Sequence, residues 1–348
     1  MYSEVDGTDL TASSPRILIT GGAGFIGSTI ASYCLDHGIT PIIVDDFSVG
    51  LPQFTQGRIA YQGDIADRDL VRRIIAEHGP IWGVIHCAAK TVVPESVAHP
   101  VEYYETNIAK SIVLLRTLIE CGVRRVVFSS TAALYADNAD LCVNESSAVS
   151  PASPYAASKY MYERVLADAA AAGEVEAVAL RYFNPIGADP LMRTGLQNPY
   201  PTHALGKMIQ AYRENKVFQV TGTDWPTRDG SGVRDYIHVW DIARAHVAVL
   251  AHFDRVMAQS QARGFDVINL GTGRGSTVLE LLNEFREAMG VELPVEYAPR
   301  RLGDVAGTVT STDKARDLLG WQAELSVVQG IRDAVSWSER LPRILAGS

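Results

Sequence analysis

The sequence predicts an α/β chain: a doubly wound parallel sheet followed by a smaller C-terminal α+β lobe. Three observations carry this expectation. Short apolar runs rich in β-branched residues alternate with helix-length amphipathic stretches through the first half, as expected for a parallel sheet covered on both faces. A glycine-rich turn joins the first of these runs to the first helix. After residue 184 the alternation breaks and glycine and proline accumulate, the texture of a loop-built lobe.

Length and composition agree. At roughly 150 residues per domain as a soft prior, 348 residues make about two lobes. With 47% hydrophobic and 20% charged residues, the chain is neither disordered, collagenous nor coiled-coil. No apolar run approaches the ~20 residues that a membrane span requires. Forty acidic against thirty-one basic residues give a net charge of −9, and no Lys/Arg-rich run supplies the footprint of a nucleic-acid binder. Glu4, Asp6 and Asp9 occupy an N-terminus without the basic and apolar regions of a secretory signal, so a cytoplasmic location is expected. Cys34, Cys87, Cys121 and Cys142 are widely spaced with no C-x-x-C pair, which predicts free thiols and no metal site.

The elements follow in order. Residues 1–14 read as a loose leader. RILIT at 16–20 predicts a buried strand, 26–37 a helix, PIIVDD at 41–46 a strand, and 67–78 a helix opened by Asp67 and Asp69. WGVIHCA at 82–88 and RRVVFSS at 124–130 are further strands, separated by a helix near 101–121. A helix at 154–172 and a strand at 177–183 complete the first half. Beyond it come a helix near 203–215, strands DYIHV at 235–239 and DVINL at 266–270 around a helix at 240–253, and a helix at 276–289 capped at Ser276/Thr277. The expected domains are 15–185, to which the chain returns near 235–270, and a second lobe of 186–234 and 271–348.

The chemistry begins at TGGAGFIGS, residues 20–28, placed between strand and helix. Gly21 permits the tight turn, Gly24 lets the backbone approach a pyrophosphate, and Gly27 lets helix pack on strand, while the helix N-terminus offers amides and a positive dipole. This is the physics of a Rossmann-type dinucleotide site. A glycine-rich turn without a ligand is the alternative. Asp45 ends the second strand, where a carboxylate can accept from both ribose hydroxyls and repel a 2′-phosphate, favouring NAD over NADP. The competing role is a strand-end cap. Asp64 and Ile65 are candidates for the adenine.

Tyr155 and Lys159 lie four apart in SPYAASKYMYE, so both project from one helix face. An ammonium there, together with an oxidised nicotinamide, would lower the phenol toward the range useful for a general base. Thr131 ends the preceding strand, where its hydroxyl faces the crevice in which doubly wound sheets bind ligands.

With these segments in order, the chain resembles the extended short-chain dehydrogenase/reductase family. The match is specific to its UDP-glucose 4-epimerase branch and covers residues 16 to about 340. It is carried by ITGGAGFIGS, HPVEYYETN, VVFSSTAALY, SPYAASKY, LRYFNPIGAD, DGSGVRDYIHVWDIA, INLGTGRG and RRLGDVA. The resemblance implies bound NAD, with Tyr155 as base, Lys159 as ribose and electrostatic anchor, and Thr131 as partner of the sugar's 4-oxygen. It adds Phe25 and Ile26 of the turn, Asp46, Ala88, Asn107 and Tyr182 to the cofactor site. To the UDP-sugar it assigns Asn184, Arg234, Arg301 and Asp304; two arginines suit a diphosphate clamp, and Asp304 could serve only to orient Arg301. Thr308, four residues beyond Asp304, stands where a tyrosine would close the pocket beside the sugar's C2.

The implied activity is reversible C4 epimerisation of UDP-glucose and UDP-galactose through a 4-keto sugar, with room for UDP-N-acetylhexosamines, in a homodimer formed by the helices near 101–121 and 154–172. The alternatives are a nucleotide-sugar 4,6-dehydratase, disfavoured because Ala132-Ala133 stand where that family places an Asp-Glu pair, and a non-catalytic dinucleotide sensor. Three segments depart from the pattern. Lys90 falls one position before a lysine of some relatives, Thr221 stands where an aromatic stacks on uracil, and QNPYPTHALG at 197–206 is divergent.

Overall fold

The structure, a computed structural model, describes residues 14–138, 140–300 and 306–346. Among these, fourteen strands follow in chain order. They are β1 (Arg16–Thr20), β2 (Thr40–Asp45), β3 (Ile59–Gln62), β4 (Gly83–His86), β5 (Arg125–Thr131), β6 (Cys142–Val143) and β7 (Glu176–Tyr182). Then come β8 (Asn184–Ile186), β9 (Phe218–Thr221), β10 (Val233–His238), β11 (Phe265–Leu270), β12 (Gly275–Thr277), β13 (Val295–Ala298) and β14 (Gly307–Thr310).

Seven of them form one sheet in the order β11-β7-β5-β4-β1-β2-β3, parallel throughout. The strands are apolar on both sides because both sides are covered. Ile17, Ile19, Ile43, Ile85 and Val127 pack against Ile30, Cys34, Trp240 and Leu250 of the helices Phe25–Asp36 and Val239–Ala251. Leu18, Ile42, Val84, Val126 and Phe128 face the other way, onto Leu70, Ile74, Leu114, Leu118, Tyr162 and Leu166. From β1 the chain winds outward through β2 and β3, and from β4 outward through β5, β7 and β11. The strand order therefore reverses between β1 and β4, which opens a crevice at the carboxyl ends of the strands.

The second lobe packs Leu205, Met208, Val220, Tyr236, Phe285 and Ile331. Its sheet runs β12-β10-β14-β6, with β8 pairing β10. Two expectations are corrected here. DYIHV belongs to this second sheet, so the chain returns to the main sheet only with the helix Val239–Ala251 and β11. The helix expected near 101–121 runs as Pro100–Tyr104, a π turn at Glu105–Ala109 and Lys110–Glu120, after a separate short helix Val93–Ala98. A proline in the first turn of each of the two short helices starts them apart. The capping expectations hold: Asp67 accepts from the Asp69 and Leu70 amides, and Thr277 forms a capping box with Glu280. Of the leader, residues 1–13 lie outside the described residues, and the Ser14 hydroxyl joins the fold by donating to the Gly38 carbonyl.

Candidate active site

A cleft of about 500 Å³ occupies the crevice. Gly21, Gly24, Phe25, Ile26 and Gly27 line it from the turn. Gly21 has φ +68°, and a Cβ there would meet the Ala88 backbone nitrogen at 2.6 Å; a Cβ on Gly27 would meet the Gly21 carbonyl oxygen at 2.3 Å. The fold thus demands both glycines. Gly24 differs, because its Cβ would meet nothing closer than 3.4 Å. It leads into the helix Phe25–Asp36 without a side-chain cap, which matches a backbone left open for a phosphate.

Asp45, Asp46, Asp64, Ile65, Ala88 and Tyr182 line the same cleft. Of the two roles considered for Asp45, the strand-end cap is the one formed within the chain. Its carboxylate accepts from the Ala23 and Phe47 amides, each at 2.9 Å, and so braces the glycine-rich turn from inside the cleft wall. Burial pushes this carboxyl up, and the two amides oppose that. Asp46 is exposed and accepts from the Ser48 amide and hydroxyl. Burial raises Asp64, but the Lys110 ammonium at 2.5 Å and the Ala66 amide bring it below its ordinary value. Sequence reasoning missed Lys110, which lines the cleft and opens its helix directly after the π turn.

Tyr155 and Lys159 sit at the start of the helix Pro154–Ala171, where Ser153 caps and Pro154 occupies the first turn. Thr131 and Tyr155 line the cleft, with the Thr131 side chain close enough to the Tyr155 phenol to oppose the rise that burial causes. Lys159, only 3% exposed, lies behind them and donates to the Ser129 carbonyl at 2.8 Å. Burial pushes its ammonium down to about 8. In the protein without its cofactor, burial raises the Tyr155 phenol and the Thr131 side chain opposes that; the lowering expected from the ammonium together with an oxidised nicotinamide concerns the NAD-loaded protein.

Tyr182 is held from behind. His246 presents Nδ1 to the Ile242 carbonyl at 2.9 Å, which places the proton there, so Nε2 accepts from the Tyr182 hydroxyl at 2.7 Å. Asn107 is buried and does not itself line the cleft. Its amide is taken up by the Lys90 backbone N–H and carbonyl and by the Ser158 hydroxyl, so it ties the loop after β4 to the catalytic helix. Lys90 lines the cleft, but its ammonium is engaged by Glu102 and Glu95.

In the second lobe, Asn184 and Arg234 lie on the paired strands β8 and β10, and Thr308 lies opposite Arg234 on β14; none of the three lines the cleft. The Arg234 guanidinium donates to the Val233 carbonyl at 2.7 Å. Arg301 and Asp304 lie outside the described residues. Thr221 ends β9. Near it the Arg300 guanidinium stacks 3.6 Å over the Trp225 ring. Gln197 of the divergent stretch and Leu196 just before it line the cleft. A larger cavity, about 700 Å³, opens between the helices Ala204–Arg213 and Val327–Ala346, and Asn184, Arg234 and Thr308 do not line it. Among the described residues no group of His, Cys, Asp and Glu is arranged to hold a metal, and all four cysteines are free.

Comparison with known proteins agrees with this geometry. Residues 17–271 match the model of the NAD dependent epimerase/dehydratase family. The UDP-glucose 4-epimerase of Azospirillum brasilense is 41% identical over 96% of this chain and 95% of its own length. The crystal structure of the UDP-glucose 4-epimerase from Stenotrophomonas maltophila, with bound NAD and formylated UDP-arabinopyranose, is 36% identical with a TM-score of 0.89, covering 94% of this chain and 99% of that one. The Bifidobacterium longum enzyme in complex with NAD+ and UDP has the same identity and coverage and a TM-score of 0.84. A family model matching most of the chain and relatives of this identity and coverage together show that the chain belongs to the NAD-dependent epimerase/dehydratase family.

Proposed function

We propose that the chain catalyses the reversible interconversion of UDP-glucose and UDP-galactose by inversion at C4. The observation that carries this is the convergence of Thr131 and Tyr155 on one wall of the glycine-lined cleft, with the Lys159 ammonium directly behind. NAD supplies hydride acceptance and return at C4 when bound, and the cleft residues fit it: uncapped amides at the start of the helix Phe25–Asp36, carboxylates at Asp45 and Asp64, and no demand for a side chain where a pyrophosphate would lie.

The chain's own residues do the proton chemistry. Tyr155 takes the proton of the sugar's 4-hydroxyl, Thr131 holds the 4-oxygen, and Lys159 provides the fixed positive charge that favours the phenolate. Burial leaves the phenol raised in the protein alone. Base strength at neutral pH therefore depends on the positive charge of the oxidised nicotinamide, which couples proton removal to the oxidised state. Inversion requires the 4-keto sugar to present its other face before the hydride returns. A clamp of Arg234 and Arg301 on the diphosphate, with Asn184 on adjacent oxygens, fits this need because it anchors the nucleotide and leaves the hexose free to turn.

A homodimer, a cytoplasmic location and a place in galactose metabolism complete the reading. Val93, Val97, Val101, Tyr160 and Met161 stand exposed on the helices Val93–Ala98, Pro100–Tyr104 and Pro154–Ala171, an apolar strip of the kind that marks an interface. No described helix is long and apolar enough to cross a membrane. The test is turnover of UDP-galactose by the purified protein with no NAD added. Formation of UDP-glucose is expected. Release of a 4-keto-6-deoxy product, or no turnover by NAD-loaded protein, overturns the reading.

A further inference from the structure

Behind the catalytic helix lies an ion pair that the chemistry above does not use. Glu163 follows Lys159 by one turn on the face that carries Tyr155, and Arg181 stands on β7; they are 3% and 4% exposed. Arg181 donates from Nε to Oε1 at 2.9 Å and from its NH2 nitrogen to Oε2 at 2.6 Å, a two-point fork. Desolvation makes such a pair a weak source of stability, and apolar side chains of similar volume commonly hold a fold as well. Its further contacts show what it does.

Glu163 Oε1 also accepts from the Ser130 hydroxyl at 2.5 Å. The NH1 nitrogen of Arg181 donates to the Tyr135 hydroxyl at 2.9 Å, with the guanidinium 5.0 Å over the Tyr135 ring. Tyr135 in turn donates to Asn269 Oδ1 at 2.7 Å on β11. Ser130 immediately precedes Thr131. Tyr135 closes the short turn Ala132–Leu134, whose cap is the Thr131 hydroxyl. Both ends of the segment 130–135 are therefore tied to one rigid fork, and Thr131 rides between the ties.

We infer that the Glu163–Arg181 pair is a positioning device, which registers the helix carrying Tyr155 against the strand carrying Thr131 and so fixes the Thr131 hydroxyl on the Tyr155 phenol. This rests on the catalytic roles proposed above for those two residues. An ionic fork suits the task because it fixes angle as well as distance, whereas apolar packing tolerates sliding. A misplacement of about 1 Å at a reacting group costs on the order of 100-fold in rate.

The test uses the NAD-loaded enzyme and removes the ties while leaving the pair intact. Ser130→Ala, Tyr135→Phe and their combination are compared with Thr131→Ala. The double variant is expected to lose about tenfold or more in kcat, while NAD content and the KM for UDP-galactose stay within about twofold. The acidic limb of its kcat profile moves to higher pH, because the Thr131 contact that holds the phenol down is weakened. A merely structural role lowers the melting temperature without moving that limb. If the double variant does not fold, the single variants carry the same comparison. Wild-type kcat and an unmoved limb in folded variants, with Thr131→Ala impaired, overturn the positioning role alone. Wild-type turnover by Thr131→Ala overturns the catalytic reading and the positioning role together.

Discussion

Arg234 on β10 and Thr308 on β14 are register partners on neighbouring parallel strands, so their side chains leave the same face of the second sheet. The Arg234 guanidinium leans across β14 to the Ala306 carbonyl, two residues before Thr308. A residue proposed for the diphosphate clamp and one proposed to gate the sugar's C2 therefore sit side by side. Backbone pairing, which is stiffer than loop contact, sets their separation.

This pairing sharpens a prediction on substrate size. Threonine leaves space beside Arg234 that a phenol ring would fill. The wild type is expected to epimerise UDP-N-acetylglucosamine as well as UDP-glucose, and Thr308→Tyr to lose the N-acetyl activity selectively. One missing pocket volume of this kind is worth about 1–3 kcal/mol, a 10- to 200-fold change in relative kcat/KM. Coupled assays on both sugars check it. Undetectable turnover of the N-acetyl sugar by the wild type, where UDP-glucose turns over readily, sinks the gate.

Tyr155→Phe removes the ionisable hydroxyl and leaves the ring in its wall of the cleft. Epimerisation should fall by about 10²–10⁴, with NAD and UDP still bound. Retention of most of the turnover means that another group is the base. The raised phenol adds a second expectation: a spectroscopic titration of Tyr155 should place its ionisation at higher pH in enzyme holding reduced cofactor than in NAD-loaded enzyme.

Asp45 gives a different outcome from the one its position at a strand end suggests. Removing the carboxylate was expected to admit NADP, since repulsion of a 2′-phosphate disappears. The same oxygens satisfy the Ala23 and Phe47 amides, and an unpaired buried N–H costs about 1–3 kcal/mol. Asp45→Ala should therefore weaken retention of both dinucleotides. Asp45→Asn keeps one of the two acceptors while removing the charge, so it should weaken retention less than Asp45→Ala and is the variant in which the NADP share of extracted cofactor rises. Extraction and chromatography of the denatured variants decide the matter, and an unchanged cofactor pattern in Asp45→Asn removes Asp45 from the choice of cofactor.

The parts of the site legible in the sequence are those whose physics is local. Gly21 and Gly27 are forced by contacts within one strand–turn–helix unit, and Tyr155 and Lys159 share a face through helical spacing alone. The contacts of Asn107 were not legible because its partners, the Lys90 backbone and the Ser158 hydroxyl, come from segments that only the fold brings near. Lys110 and the Glu163–Arg181 pair were invisible for the same reason: their partners, Asp64 and Ser130, come from strands that only the folded sheet brings near. DYIHV reads as a main-sheet strand by composition, yet it pairs with β8, β12 and β14, because hydropathy reports burial and not which sheet does the burying.

A last prediction concerns acid. His86 ends β4, with Nδ1 2.7 Å from the Thr20 hydroxyl and Nε2 2.8 Å from the Ser111 hydroxyl, and burial pushes it down to about 3. Its folded value lies below its unfolded value near 6.5, so as pH falls the unfolded chain takes up the proton first. The stability tied to neutral His86 is present above pH ~6.5 and is lost progressively toward pH 3, at about 1.4 kcal/mol per pH unit. Protonation would also disturb the hydrogen bond to Thr20, which leads into Gly21, so acid should release cofactor as it unfolds the sheet. His86→Gln removes this proton uptake. It should be less stable than the wild type at pH 7.5, by about 1–3 kcal/mol for imperfect pairing of the two hydroxyls, yet lose stability less steeply between pH 6 and 4. Urea unfolding across that range measures both slopes, and parallel slopes would mean that His86 titrates alike in the folded and unfolded chain.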